Sequence, residues 1–95
     1  MNFEMELKGF LDSEGKLKQW PSKHDKRTAA LEMVGERFDS DRNYKENEVN
    51  DIIKSAISFS DHQTVRRELV SAKILDRTAN GTKYWKVMPG ESKEL

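Results

Sequence analysis

The stretch "VNDIIKSAI", residues 49–57, places Val49, Ile52, Ile53, Ala56 and Ile57 at i, i+3, i+4, i+7 and i+8. That spacing lays one apolar stripe along an α-helix, and such a stripe has to be covered by other elements of the same chain. With 95 residues, 35% of them hydrophobic and 36% charged, there is material for one small core under a highly charged surface and not for two. A single domain over residues 1–87 with a flexible tail over 88–95 is therefore expected.

Phe3, Leu7, Phe10 and Leu11 follow helical spacing and predict a short opening helix that stops near the turn "DSEG". "KLKQW" reads as a weak extended segment around Leu17, closed by Pro21. Ser22 with Asp25 resembles a capping box for a helix carrying Arg27, Ala30, Leu31, Val34 and Phe38 on one side. Tyr44 reads as a strand of one or two residues before the helix of the apolar stripe. Ser60 with Gln63 offers a second capping box, opening a helix with Val65, Leu69 and Ala72 as its buried stripe.

In "ILDRTANGTKYWKV" the Asn80-Gly81 pair is a strong hairpin signal, because a type I′ turn needs positive φ at both central residues. A two-residue turn there pairs Ala79 with Thr82, Thr78 with Lys83, Arg77 with Tyr84 and Asp76 with Trp85. Three helices, a tiny strand before the second of them, and a hairpin make the expected fold class α+β, mainly α. Its architecture is expected to be winged helix-turn-helix-like: three core helices, a C-terminal β-hairpin wing and an extra short N-terminal helix. The expected core joins Leu31, Val34, Phe38, Val49, Ile52, Ile53, Ile57, Val65 and Leu69 with either Ile74 or Leu75.

Net charge is zero, but its distribution is uneven: residues 61–87 hold six basic against three acidic groups, and all the positive excess of the chain lies there. Within the helix of this segment, "HQTVRRELV" puts two arginines side by side. With Val65 set at 0°, the buried arc runs from about 340° (Ala72) to about 40° (Leu69), Arg66 falls near 100° on the flank, and Arg67 near 200°, opposite the core. Gln63, Thr64 and Ser71 share the arc of Arg67. No acidic residue lies three or four positions from either arginine, so neither has an ion pair on its own helix. Arg66 borders the packed face and is expected to find a carboxylate or hydrogen bond on the preceding helix, with Glu46, Glu48 and Asp51 as candidates.

Arginine beside glutamine, threonine and serine on an open helix face suits the base edges and phosphates of DNA. The second helix of a helix-turn-helix enters the major groove, so Gln63, Thr64, Arg67 and Ser71 are the expected groove residues, with Arg66, Lys73, Arg77 and Lys83 as phosphate contacts. The competing account is that these are solvated surface charges, with Arg77 lying on the ring of Tyr84 as a cross-strand cation–π pair. Tyr84 and Trp85 are expected to pack rather than to stack on bases.

His24 and His62 are the only histidines and there is no cysteine, so no metal site and no disulfide is expected. No nucleophile elbow and no glycine-rich phosphate loop occurs, and the chain is not expected to be an enzyme or to need a cofactor. No apolar run is long enough for a bilayer and the acidic start "MNFEMELKGF" is unlike a secretory signal, so a cytoplasmic location is expected.

"GKLKQWPSKHDKR", "YKENEVNDII", "VRRELV" and "LDRTANGTKYWKV", in that order over residues 15–87, resemble the bacterial family known as domain of unknown function 2087. The resemblance implies a winged helix-like domain that occurs alone or appended to helix-turn-helix regulators, and hence a role in transcription. It places Tyr44, Glu46, Glu48, Val49 and Asn50 at a strand and helix start, and Arg66, Arg67, Glu68 and Leu69 in the signature of the motif's second helix. Lys45 stands where that pattern has a capping threonine, a change that weakens the helix start by about 1 kcal/mol.

The leading expectation is a DNA-binding transcriptional regulator domain, with helix 61–73 in the major groove of double-stranded DNA and hairpin 75–87 as the wing. The alternative is a protein-interaction or oligomerisation module, a homodimer or a partner of another protein, on the same scaffold without direct DNA binding.

Overall fold

A computed structural model describes residues 3–87, so the expected tail 88–95 lies outside the described residues. The elements in order are α1 (Phe3–Glu6), α2 (His24–Gly35), β1 (Asn43–Tyr44), α3 (Glu46–Ala56), α4 (His62–Ser71), β2 (Leu75–Arg77) and β3 (Tyr84–Lys86). The strands form one antiparallel sheet in the order β1-β3-β2. The fold is thus a small, mainly helical α+β arrangement. Among the described residues no helix is long and apolar enough to cross a membrane.

α3 buries Val49, Ile53 and Ala56, as its stripe requires, with Ile52 half-buried at the margin. The Glu48 carboxylate accepts the Lys45 backbone N–H at 2.8 Å. A lysine ammonium has no lone pair with which to return the bond, so this helix start has only the glutamate half of a capping box. At the other end Ile57 leaves the helix in an extended conformation and is buried against the core from there. Leu17 closes this end: its N–H donates to the Ala56 carbonyl at 2.9 Å, and its own carbonyl accepts the Ser58 N–H at 2.7 Å. The weak extended segment around Leu17 is therefore a bridge between the N-terminal region and the end of α3, with further pairing to Leu11.

The opening helix is shorter than its apolar spacing predicts. It ends at Glu6, and Gly9, at φ 93°, turns the chain so that Leu7 enters the core while Phe10 and Leu11 pack at its edge. The Ser22 capping box does not form either. Lys23 is the N-cap of α2 without a side-chain bond, and the start is fastened instead by Arg27, whose Nε donates to the carbonyl of buried Pro21 at 3.1 Å. Ala29, Ala30, Leu31 and Val34 bury the inner face of α2. Arg27 lies outside the core and pairs with Glu68 of α4 at 3.9 Å.

α4 also starts one residue later than expected. Asp61 is the N-cap, and its carboxylate accepts the Thr64 N–H at 3.2 Å and the Thr64 hydroxyl at 2.7 Å. Val65 and Leu69 are buried, but Ala72 is exposed, because the helix stops at Ser71 and the chain turns away there. The stop is a Schellman motif: the Lys73 N–H donates to the Val70 carbonyl at 3.1 Å and the Ile74 N–H to the Leu69 carbonyl at 3.0 Å. Lys73 occupies the left-handed position of this motif with φ 66°. The turn sends Leu75 inward, buried, and leaves Ile74 half-buried against Gly35.

The hairpin has the expected register, Asp76 opposite Trp85 and Arg77 opposite Tyr84, continued by Leu75 opposite Lys86. Its turn differs. Gly81 has φ 74°, but Asn80 does not have positive φ, so the turn is not type I′. The Gly81 N–H donates to the Thr78 carbonyl at 3.0 Å and the Thr78 N–H to the Lys83 carbonyl at 2.9 Å, leaving 79–82 as a four-residue loop in which Ala79 and Thr82 do not pair. The Asn80 side-chain oxygen organises this loop, accepting from the hydroxyls of Thr78 at 2.9 Å and Thr82 at 2.8 Å.

Candidate nucleic-acid interface

The neighbouring arginines of α4 have different surroundings. Arg66 is joined to α3: its Nη1 donates to the Asn50 side-chain oxygen at 2.6 Å and its Nη2 lies 3.2 Å from a Glu46 carboxylate oxygen. Only 16% of its side chain is exposed. Of the three carboxylates open to it, Glu46 is the one used. A guanidinium engaged on two sides and largely buried is committed first to helix–helix packing and presents little surface to a phosphate.

Arg67 is exposed and forms no ion pair within 4.0 Å among the described residues. Its charge acts on the cap of the helix. The carboxyl of Asp61 is held below its ordinary 3.8, first by the Thr64 hydroxyl, then by the Thr64 N–H, with the charges of Arg67 and His62 adding to the effect. Gln63 and Ser71 are exposed on the same side of α4, whereas Thr64 is half-buried with its hydroxyl taken up by the cap. Thr64 is therefore the least available of the four expected groove residues.

Lys73, Arg77 and Lys83 are all exposed. Lys83 sits beside the hairpin loop, and Lys73 at the turn out of α4. Arg77 does not lie on the ring of Tyr84. Its Nη1 reaches back toward the Thr78 carbonyl at 3.4 Å, and the cation–π contact that does form joins Arg42 to Tyr44, 4.3 Å from the ring centre. Tyr84 is buried and Trp85 half-buried, so both are packing residues of the sheet.

The hairpin stands beside α4 and encloses with it a cleft of about 460 Å³. Arg67, Ser71 and Arg77 line its walls, Val70 and Tyr84 contribute apolar surface, and the loop residues Asn80 and Gly81 line it from the hairpin. Arg66 and Glu46, already paired with each other, complete the lining. Arg67 and Ser71, expected together on the groove face of α4, thus share one concave surface with Arg77, expected as a separate phosphate contact. Val70, Asn80 and Tyr84 were not expected at a site. The sequence signal for them is Val70 itself, an apolar residue near 140° on the wheel, between the two arginines on an otherwise polar arc.

No curated protein and no solved structure matches the chain. A family described as "uncharacterized protein conserved in bacteria (DUF2087)" matches residues 16–86, which span everything from the Leu17 bridge to the last strand. The chain belongs to this bacterial family.

Proposed function

We propose that this chain is a DNA-binding, transcription-regulatory domain of the winged helix-turn-helix type. α3 and α4 are the two helices of the motif, and the β2–β3 hairpin is the wing. The order of elements and the strand order β1-β3-β2 support this architecture. α4 enters the major groove of double-stranded DNA with Gln63, Arg67 and Ser71 toward base edges and phosphates, while Lys73, Arg77 and Lys83 meet the backbone on either side.

The observation that carries the reading is the contrast on α4. Glu68 and Arg66 are paired to neighbouring helices, while Arg67, on the outward face, forms no ion pair within 4.0 Å among the described residues and feels only the longer-range charge of Asp61. An unpaired guanidinium on the exposed face of the second helix of such a motif is placed to meet an external acceptor. Titration of labelled protein with random-sequence duplex DNA at low and then moderate salt tests it. Amide shifts mapped to residues 62–86 that weaken steeply with salt are expected. Unchanged spectra at low salt would reject the reading.

A further inference from the structure

We propose that the cleft between α4 and the hairpin is a binding site for a small organic anion, a molecule with an apolar body and one phosphoryl or carboxylate group. The site shares Arg67, Ser71 and Arg77 with the proposed DNA-reading surface but does not require that DNA binds at all.

Charge is the first argument. The cleft is lined by three guanidinium groups, Arg66, Arg67 and Arg77, and by one carboxylate, Glu46. Glu46 is matched by Arg66 at 3.2 Å, so the groups of Arg67 and Arg77 remain as excess positive charge converging from two different elements. The uncommitted hydrogen-bonding groups point to the same ligand. The Asn80 oxygen is saturated by Thr78 and Thr82, which leaves its NH₂ as the free end. The Ser71 and Tyr84 hydroxyls have no partner among the described residues. Arginine and amide NH₂ groups only donate, and the two hydroxyls can also donate, so the vacant capacity of the cleft matches an acceptor-rich anion.

Tyr84 is the second argument. Its ring is buried, while its hydroxyl, without a hydrogen bond among the described residues, reaches solvent. The hydroxyl belongs to a residue lining the cleft, where a ligand oxygen can take the place of water. The volume is the third. About 460 Å³ exceeds the needs of one phosphate and lies within the range of small-molecule sites. Val70 and Tyr84 supply an apolar surface for the remainder of the ligand.

The test uses phenyl phosphate and inorganic phosphate as probes at constant ionic strength, followed by amide and arginine Nε shifts of the whole chain without DNA. Saturable shifts at Arg67, Ser71, Arg77, Asn80 and Gly81 are expected, with phenyl phosphate binding about tenfold more tightly than inorganic phosphate because its ring buries apolar area. Arg67→Gln and Arg77→Gln should each weaken phenyl phosphate about fivefold or more. Tyr84→Phe should weaken it without lowering the melting temperature, since the hydroxyl removed has no partner within the fold. Shifts that climb linearly with both anions, or that persist unchanged in the R67Q/R77Q double variant, would overturn the site. A cleft that responds to duplex DNA while phenyl phosphate fails to saturate would also overturn it. Saturable phenyl phosphate binding with no response to duplex would leave the site standing and reject the DNA-binding reading alone.

Discussion

The Arg66 guanidinium donates to the Asn50 side-chain oxygen at 2.6 Å, a bond that crosses from α4 to α3 and is reinforced by Glu46 at 3.2 Å. Removing the guanidinium leaves Asn50 without this donor and the two helices without their polar fastening. Arg66→Ala is expected to cost about 2 kcal/mol, the scale of hydrogen bonds to charged groups, read as a lower midpoint in urea with unchanged slope. Arg66→Lys should recover only part of the loss, since a single ammonium cannot reproduce the fork.

Arg67→Ala should behave in the opposite way. No ion pair of the fold is lost, so stability should change by less than about 0.5 kcal/mol, as for ordinary surface substitutions. In a salt series with duplex DNA, the slope of log affinity against log salt should fall by about one, the loss of a single phosphate contact. Comparable thermal losses for Arg66→Ala and Arg67→Ala would show that α4 is rotated from the phase described.

Lys73 holds a left-handed backbone conformation, φ 66°, at the position where helices favour glycine. A β-carbon is strained there, and Lys73→Gly should relieve the strain and raise stability by about 1 kcal/mol. Thermal unfolding reads this directly. The same substitution removes a cation from beside the exposed face of α4, so a gain in melting temperature with a weaker response to duplex would separate the two roles of this residue.

Gly35 is buried in the last turn of α2 with Ile74 against it. A β-carbon at this position would lie 2.7 Å from the Ile74 Cγ2 methyl. Ile74 branches at its own β-carbon and has little freedom to withdraw. Gly35→Ala should therefore destabilise by about 1–3 kcal/mol from overpacking, less the few tenths to 1 kcal/mol that alanine contributes to a helix. Pairing it with Ile74→Ala, which removes the offending methyl, should make the two effects non-additive in a double-mutant cycle.

The cap of α4 makes a prediction in pH. The Asp61 carboxyl is held below 3.8 in the folded state by Thr64, with help from Arg67 and His62. A depressed folded value means that the ionised cap stabilises fully above the unfolded value near 3.8, and that its contribution disappears as pH falls through the lower folded value. Asp61→Asn should flatten that part of the acid-unfolding curve. Arg67→Ala should move the Asp61 titration, followed by its side-chain carbon shift, slightly upward.

The elements of this fold were legible where local chemistry decides them. The α3 stripe and the sidedness of Arg66 follow from helical phase alone. The hairpin register is instructive because the turn type and the Ala79–Thr82 pair differ from expectation while the strand pairing agrees with it. A two-residue loop at 80–81 and a four-residue loop at 79–82 have the same midpoint, so Arg77 meets Tyr84 in both. The caps were harder. Ser60 with Gln63 and Asp61 with Thr64 have the same spacing, and only the backbone path selects Asp61. Leu7 and Leu17 escaped notice as core residues because their burial depends on partners far along the chain, Leu17 on Ala56 and Ile57. The cleft was invisible for the same reason: its lining comes from three elements whose juxtaposition no short window of sequence records.

The bridge from Leu17 to residues 56–58 and the pairing of Tyr44 with Tyr84 tie early parts of the chain to parts made much later. During synthesis Leu17 must wait some forty residues for its acceptor at the end of α3. β1 must wait a similar stretch for β3. The first half lacks these partners while it is being made, and the chain is expected to close in one late, cooperative event once Tyr84–Lys86 has emerged. A chain halted in the hairpin loop would hold all the helices and still lack the strand that seals them.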